Sequence, residues 1–366
     1  MKIFHCDHCQ QLVFFENFKC VSCDHALAYV PDLTDMKSLE PAGDNLWKCT
    51  DPTGNERIYR LCENYAKENT CNWVVAADDP HPLCEACRLT RVIPDLNVAG
   101  NPEAWYRLEV AKRRLVYSLL YLQLPVTNKT DDPEHGLAFE FLADPLPEPN
   151  AKEPSKPVLT GHANGVITIN IAEANDAERE KRRLQMHEPY RTLLGHFRHE
   201  VGHYYWDRLI KDTEWLEPFR ILFGDDSADY GQALQDHYKN GPPTNWQSNF
   251  VSAYASSHPW EDWAETWAHY LHMVDSLETA AACGVSLRPK RKDEPSVKAV
   301  PDPKRVRWKP FEEVLDAWFP LTYVLNNLNR GLGQGDAYPF VLGPPVVEKL
   351  RFIHSVANSD WQNVAS

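Results

Sequence analysis

Gly195-His196-Phe197-Arg198-His199-Glu200-Val201-Gly202-His203-Tyr204-Tyr205-Trp206 decides how this chain is read. Within it, His199-Glu200-x-x-His203 sets two imidazoles four residues apart, on one face of a helix, where both can grip a single ion. Glu200 sits beside the first of them, placed to take a proton from a water held by that ion. Leu193, Leu194, Phe197, Val201 and Tyr204 supply an apolar face, so the pattern predicts a buried helix. Gly202, a poor helix former, lets another backbone come close between the two histidines. Two incidental histidines on a surface helix would carry the same letters, so a third ligand has to be found.

The segment that follows Ser256-Ser257-His258-Pro259-Trp260 supplies it. Glu261, Glu265 and His269 fall on one stripe of a second helix, and Trp263, Ala264, Trp267, Ala268 and Leu271 give that helix its packing surface. Two carboxylates on a helix rich in tryptophan are costly to bury unless a cation compensates them. On spacing alone the ligand is Glu261 or Glu265; Asp262 points elsewhere.

Ten cysteines in a chain with no apolar leader are better read as metal ligands than as disulfides. Cys6-x-x-Cys9 and Cys20-x-x-Cys23 are two knuckles that complete a tetrahedral four-thiolate site, with Leu12 to Phe18 between them as a short hairpin. Cys84-x-x-Cys87 is a third knuckle, best completed by Cys62 and Cys71; Cys49 and His81 compete for those places. This region has few aliphatic residues and many loops, so metal is expected to supply much of its folding energy.

A length of 366 residues implies about two domains. The boundaries expected are 1–97 for the cysteine-rich module and 98–366 for the remainder. No apolar run reaches membrane-spanning length and the start lacks the core of a signal peptide, so a cytoplasmic location is expected. A net charge of −14 argues against nucleic acid as a partner. Asn101 and Pro102 open a helix carried by Trp105, Leu108, Ala111, Leu115 and Leu119, and Lys112-Arg113-Arg114 reads as its solvated side. Leu137–Leu142 and Val166–Ile171 have strand character. The second, just before the first ligand helix, reads either as a sheet edge that pairs with an extended substrate or as an ordinary strand. Trp215 to Asn249 reads as loop-rich and acidic, and Ser286 to Pro310 as an exposed basic loop.

With the second carboxylate helix in place, the chain resembles gluzincin metallopeptidases. Glu261-Asp262-Trp263-Ala264-Glu265 looks like the Glu-x-Phe-Ala-Glu segment of lethal-factor-type gluzincins, in which the first Glu is the zinc ligand and the second supports the site. Tyr254 matches the position of the tyrosine that stabilises the oxyanion there. As a whole, the chain resembles bacterial zinc-binding metallopeptidases that carry an N-terminal zinc ribbon. The resemblance rests on the knuckles, Cys71-Asn72-Trp73, Ala111 to Leu115, His199 to Trp206 and His258 to Leu271. It departs from thermolysin-like enzymes at Glu265, where those have Asp.

The resemblance implies an α+β fold: a mainly helical zincin-like domain with a small sheet, behind a small zinc ribbon. It implies zinc-dependent peptide hydrolysis, with His199, His203 and Glu261 holding a catalytic zinc and Glu200, Tyr254 and Glu265 assisting. Two structural zincs would sit in the cysteine sites, the substrate would be a peptide or protein, and the ribbon would offer a surface to a protein partner. A rival reading makes the ribbon a recruiting module for protein or nucleic acid and the rest a scaffold. The intact Glu200 counts against it.

Overall fold

In a computed structural model the chain is described over residues 2–145, 157–185, 192–303 and 310–361. The Pro-rich stretch expected as a loop between Asp144 and Pro157 lies largely outside them. Helix and strand are both present, and the fold is α+β with a cysteine-rich N-terminal part.

The N-terminal part opens with β1 (Phe4–His5) paired antiparallel to β2 (Leu12–Val13), so the first knuckle occupies the turn between them. The expected hairpin within Leu12 to Phe18 is therefore displaced: its partner strand lies before the knuckle. Then comes an antiparallel meander of β3 (Ala26–Val30), β4 (Asp35–Gly43), β5 (Leu46–Thr50), β6 (Glu56–Leu61) and, after the short helix α1 (Glu63–Ala66), β7 (Val74–Ala76). The amide of Tyr29 donates to the carbonyl of Asn72 at 2.9 Å, which brings the first and last strands together. The region read as mostly loops thus has a sheet and an aromatic core. Phe15 packs on Tyr29 and Trp73, and Tyr29 on Trp73, with ring centroids 4.6–6.2 Å apart. Large aromatic rings at isolated positions give no period-2 signal, although they bury as much area as aliphatic runs do.

β8 (Thr90–Val92) leaves this module and pairs with β9 (Ala138–Leu142) in a second sheet, ordered β10 (Gly161–Ala163), β11 (Val166–Asn170), β9, β8. β11 is an inner strand, parallel to β9 and antiparallel to β10. The edge on its side belongs to β10, too short to register in the sequence. Ile167, Ile169, Phe139 and Phe141 are buried from this sheet, and Phe197 packs on both phenylalanines.

α2 (Asn101–Tyr121) lies between the two parts. Gly100, at φ +88°, occupies its cap in place of Asn101, so the helix begins one residue earlier than expected. One side of α2 packs on the helix that carries His199. The other meets the cysteine-rich module, where Tyr117 stacks edgewise on Phe4, Phe15 and Tyr29. The reading of Lys112-Arg113-Arg114 as a solvated face is overturned: Lys112 and Arg113 are buried. Lys112 pairs with Glu109 at 2.8 Å, Arg113 donates to the Thr70 carbonyl, and Arg114 donates to Glu16 at 2.6 Å. A charge run looks solvated until a second unit is docked on it.

After α3 (Asp176–Gln185) and α4 (Leu193–Leu209), two helices occupy the stretch read as loop, α5 (Leu216–Phe223) and α6 (Tyr230–Asn240). Asp229 caps α6 by accepting from the Gln232 amide at 2.8 Å, but no residue of α6 is buried. Such a helix leaves no apolar stripe to read. α7 (Pro259–Ala282) follows, and helices Phe311–Gly331, which runs through Pro320, and Pro344–Ala357 close the chain. No helix among the described residues is long and apolar enough to cross a membrane.

Candidate metal centre

Two helices build the site. α4 starts where the Thr192 hydroxyl accepts from the Gly195 amide at 3.0 Å. α7 starts where the His258 ring accepts from the Trp260 amide at 3.1 Å, with Pro259 in the first turn. They touch at Gly202. A Cβ there would lie 2.9 Å from Cα of Ala264, and the Trp263 indole donates to the Gly202 carbonyl at 2.8 Å. Only glycine permits so close a crossing. The donor atoms of His199, His203 and Glu261 are thereby brought within 4.8 Å of one another.

The hydrogen bonds around these atoms leave a gap for a cation. Nδ1 of His199 lies 2.7 Å from Oε1 of Glu265, whose other oxygen accepts from the Ser252 hydroxyl at 2.7 Å. A carboxylate can only accept, so the imidazole proton sits on Nδ1 and Nε2 presents a lone pair. That lone pair faces Oε2 of Glu261 at 3.0 Å, and Nε2 of His203 faces the same oxygen at 3.4 Å. Oε2 is buried without a hydrogen bond. Converging lone pairs in a buried site repel unless a proton or a metal ion lies among them. Without a metal ion a proton takes that place: burial works against charge on His199, yet Glu261 and Glu265 hold its pKa well above the ordinary imidazole range. Burial likewise opposes ionisation of the two carboxyls. The charges and hydrogen bonds of His203 and His199 nonetheless hold Glu261 well below its usual value, and His199 brings Glu265 down to about 2. Two imidazoles and a carboxylate match the donor set of zinc.

Glu265, the competitor for the third place, faces the outer nitrogen of His199 rather than the convergence point. His269 hydrogen-bonds Tyr338 at 2.6 Å and is not among the converging donor atoms, and Asp262 pairs with Lys349 at 2.5 Å. Glu200 is buried on α4. Tyr254 stands in a single turn before α7, its ring centroid 6.0 Å from that of His199. Burial, then the charge of Glu261, push its pKa up, so it keeps its proton.

Besides Ser252, three neighbours escaped the sequence reading. The Tyr230 hydroxyl donates to Oε1 of Glu261 at 2.6 Å, from the helix read as loop. Trp260 lies over His203 with ring centroids 3.8 Å apart. His162, on the edge strand β10, lies 6.3 Å from His203, and burial followed by the field of His203 push its pKa down to about 3. A lone tyrosine in a polar stretch and a lone histidine in a short strand carry no spacing that marks them.

The cysteines gather as two groups of four. Cys6, Cys9, Cys20 and Cys23 form one, and Cys62, Cys71, Cys84 and Cys87 the other, fully buried. The amides of Trp73 and Cys84 donate to the sulfurs of Cys71 at 3.3 Å and Cys62 at 3.4 Å. Burial holds the Cys84 thiol well above its ordinary pKa, so it keeps its proton unless a cation lies among the four sulfurs. Cys49 stands apart on β5, and neither it nor His81 belongs to a four-ligand group among the described residues.

Residues 101–356 match a family described as "Putative zinc-binding metallo-peptidase", and residues 3–98 match one described as "zinc-ribbon domain". Proteins of Mycobacterium tuberculosis and Mycobacterium bovis, each titled "Uncharacterized protein", are 46% identical over 360 residues, covering 98% of this chain and 96% of theirs. No solved structure matches.

Proposed function

The chain belongs to the zinc-binding metallo-peptidase family, and from that premise we propose that it hydrolyses peptide bonds at the centre formed by His199, His203 and Glu261. The observation that carries this is the buried Oε2 of Glu261 facing imidazole lone pairs with no hydrogen bond of its own. Zinc, when bound, would supply a Lewis acid that polarises the substrate carbonyl and acidifies water. Three protein ligands leave a fourth position for that chemistry. Glu200 takes the proton of the attacking water and passes it to the leaving amine. Tyr254, still protonated, donates to the developing oxyanion. Glu265 holds the His199 ring in the tautomer that turns Nε2 inward, and Tyr230 fixes the Glu261 carboxylate.

Residues 1–97 are read as a ribbon module holding two structural zincs and 98–366 as the peptidase domain, acting on a peptide or protein in the cytoplasm, where cysteines remain reduced. The ribbon would also offer a surface to a protein partner. A scaffold whose only task is recruitment has no use for Glu200 beside two ligand histidines. Glu200→Gln should keep its zinc and lose hydrolysis by about 10²–10⁴-fold, scored by cleavage-site profiling of a peptide library. Undiminished cleavage would remove this mechanism.

A further inference from the structure

The two four-cysteine groups differ in their surroundings. Cys9 and Cys23 of the first are half-buried, so water can screen its charge. All four sulfurs of the second are buried. A divalent ion held by four thiolates leaves about two negative charges in a site without water, and buried charge is sustained only where a partner compensates it.

The basic residues of α2 are candidates for that partner, and Arg107 is taken by Glu103 at 2.8 Å. Lys112 is taken by Glu109, and Arg114 by Glu16. Arg113 is 1% exposed and, among the described residues, forms no ion pair with a carboxylate. Its guanidinium donates to the carbonyl of Thr70, the residue before the ligand Cys71. Burial alone would lower its pKa, yet the fields of Cys71, Glu109, Cys87 and Cys84 raise it. Guanidinium suits the place, being always charged and more weakly hydrated than an ammonium group.

We propose that Arg113 is the counter-charge of the second four-cysteine site, so that the ion in the ribbon and the docking of α2 stabilise each other. This rests on zinc occupying that site, as read above. Linkage makes the effect reciprocal: whatever the docked helix adds to ion affinity, the ion adds to helix docking. The opposite side of α2 packs on α4, which carries His199 and His203. Metal in the ribbon therefore steadies the helix on which the metal centre leans. Arg113 is a positioning residue, touching neither substrate nor the catalytic centre.

The test follows zinc release from the full-length, zinc-loaded protein into excess chelator, read with a zinc-sensitive dye. Cys9→Ser and Cys84→Ser identify the phases of the first and second sites. Arg113→Met should release second-site zinc about 10–100-fold faster, the range typical of outer partners of a metal site, with the first-site phase unchanged. Arg113→Lys should fall in between. In the wild type, hydrogen exchange across Ala111–Tyr117 should accelerate in step with the second-site phase.

A folded Arg113→Met protein with unchanged second-site release overturns the proposal. Should that variant not fold, a wild-type α2 that keeps its hydrogen-exchange protection after the second-site zinc has left overturns it equally. If Cys84→Ser loses no zinc relative to wild type, the zinc assignment itself falls, and this proposal with it.

Discussion

At the scale of single residues, Glu261 and Glu265 stand one turn apart on the same helix and do different work. The first meets the two inward imidazole nitrogens; the second meets the outer nitrogen of His199. Glu261→Ala should therefore strip the catalytic ion, whereas Glu265→Ala should keep it at saturating zinc with affinity lowered about 10–100-fold. Metal analysis of each variant, with the ribbon zincs subtracted, separates them. A loss of metal only in Glu265→Ala would reverse the roles. Tyr230→Phe removes the hydrogen bond to Oε1 of Glu261 and should weaken zinc binding about tenfold while leaving full occupancy at high zinc. Unchanged affinity in a dye competition would reduce Tyr230 to a packing residue. The ligand candidates were legible because helical spacing is written in the sequence. Tyr230 and Ser252 were not, because what recruits them is proximity in space.

At the scale of elements, the crossing of α4 and α7 sets the bite of the site. Gly202→Ala would put a methyl group 2.9 Å from Cα of Ala264 and 3.3 Å from Cβ of Trp267, so the helices must part. Overpacking of this kind costs about 1–3 kcal/mol. Thermal melts should register that loss, and chelator competition should show weaker zinc binding, since Glu261 moves away with α7. A variant as stable as the parent and as tight for zinc would mean that the crossing is not what spaces the ligands. Both helices were legible from apolar residues and ligand candidates at helical spacing. α6 was not, because a helix that buries none of its residues has no face to read. β10 was not, because three residues are too few for alternation to show. The edge of the sheet consequently fell one strand away from the one singled out.

At the scale of the molecule, the cysteine pattern and the ligand motif indicated two parts but not how they join. β8 crosses from one to the other, and α2 is covered on both sides. Such joints are invisible in sequence because Lys112-Arg113-Arg114 reads identically whether water or a ribbon faces it. Removal of residues 1–97 should take β8 from its sheet and bare Tyr117 and Arg113. Gel filtration of residues 98–366 should then show aggregation in place of a monodisperse peak. A well-behaved monomer would instead make the ribbon a detachable accessory. The sandwiched helix also imposes an order on assembly, because a growing chain is completed from its N-terminus. Cys6 to Cys23 emerge together and can close on their ion at once. With Arg113 as the proposed counter-charge, Cys62 to Cys87 would emerge with every ligand present but without the cation that neutralises them, since Arg113 is still to be made. The ribbon would then be finished by a residue translated after it, and a second ion would wait on the arrival of the neighbouring helix.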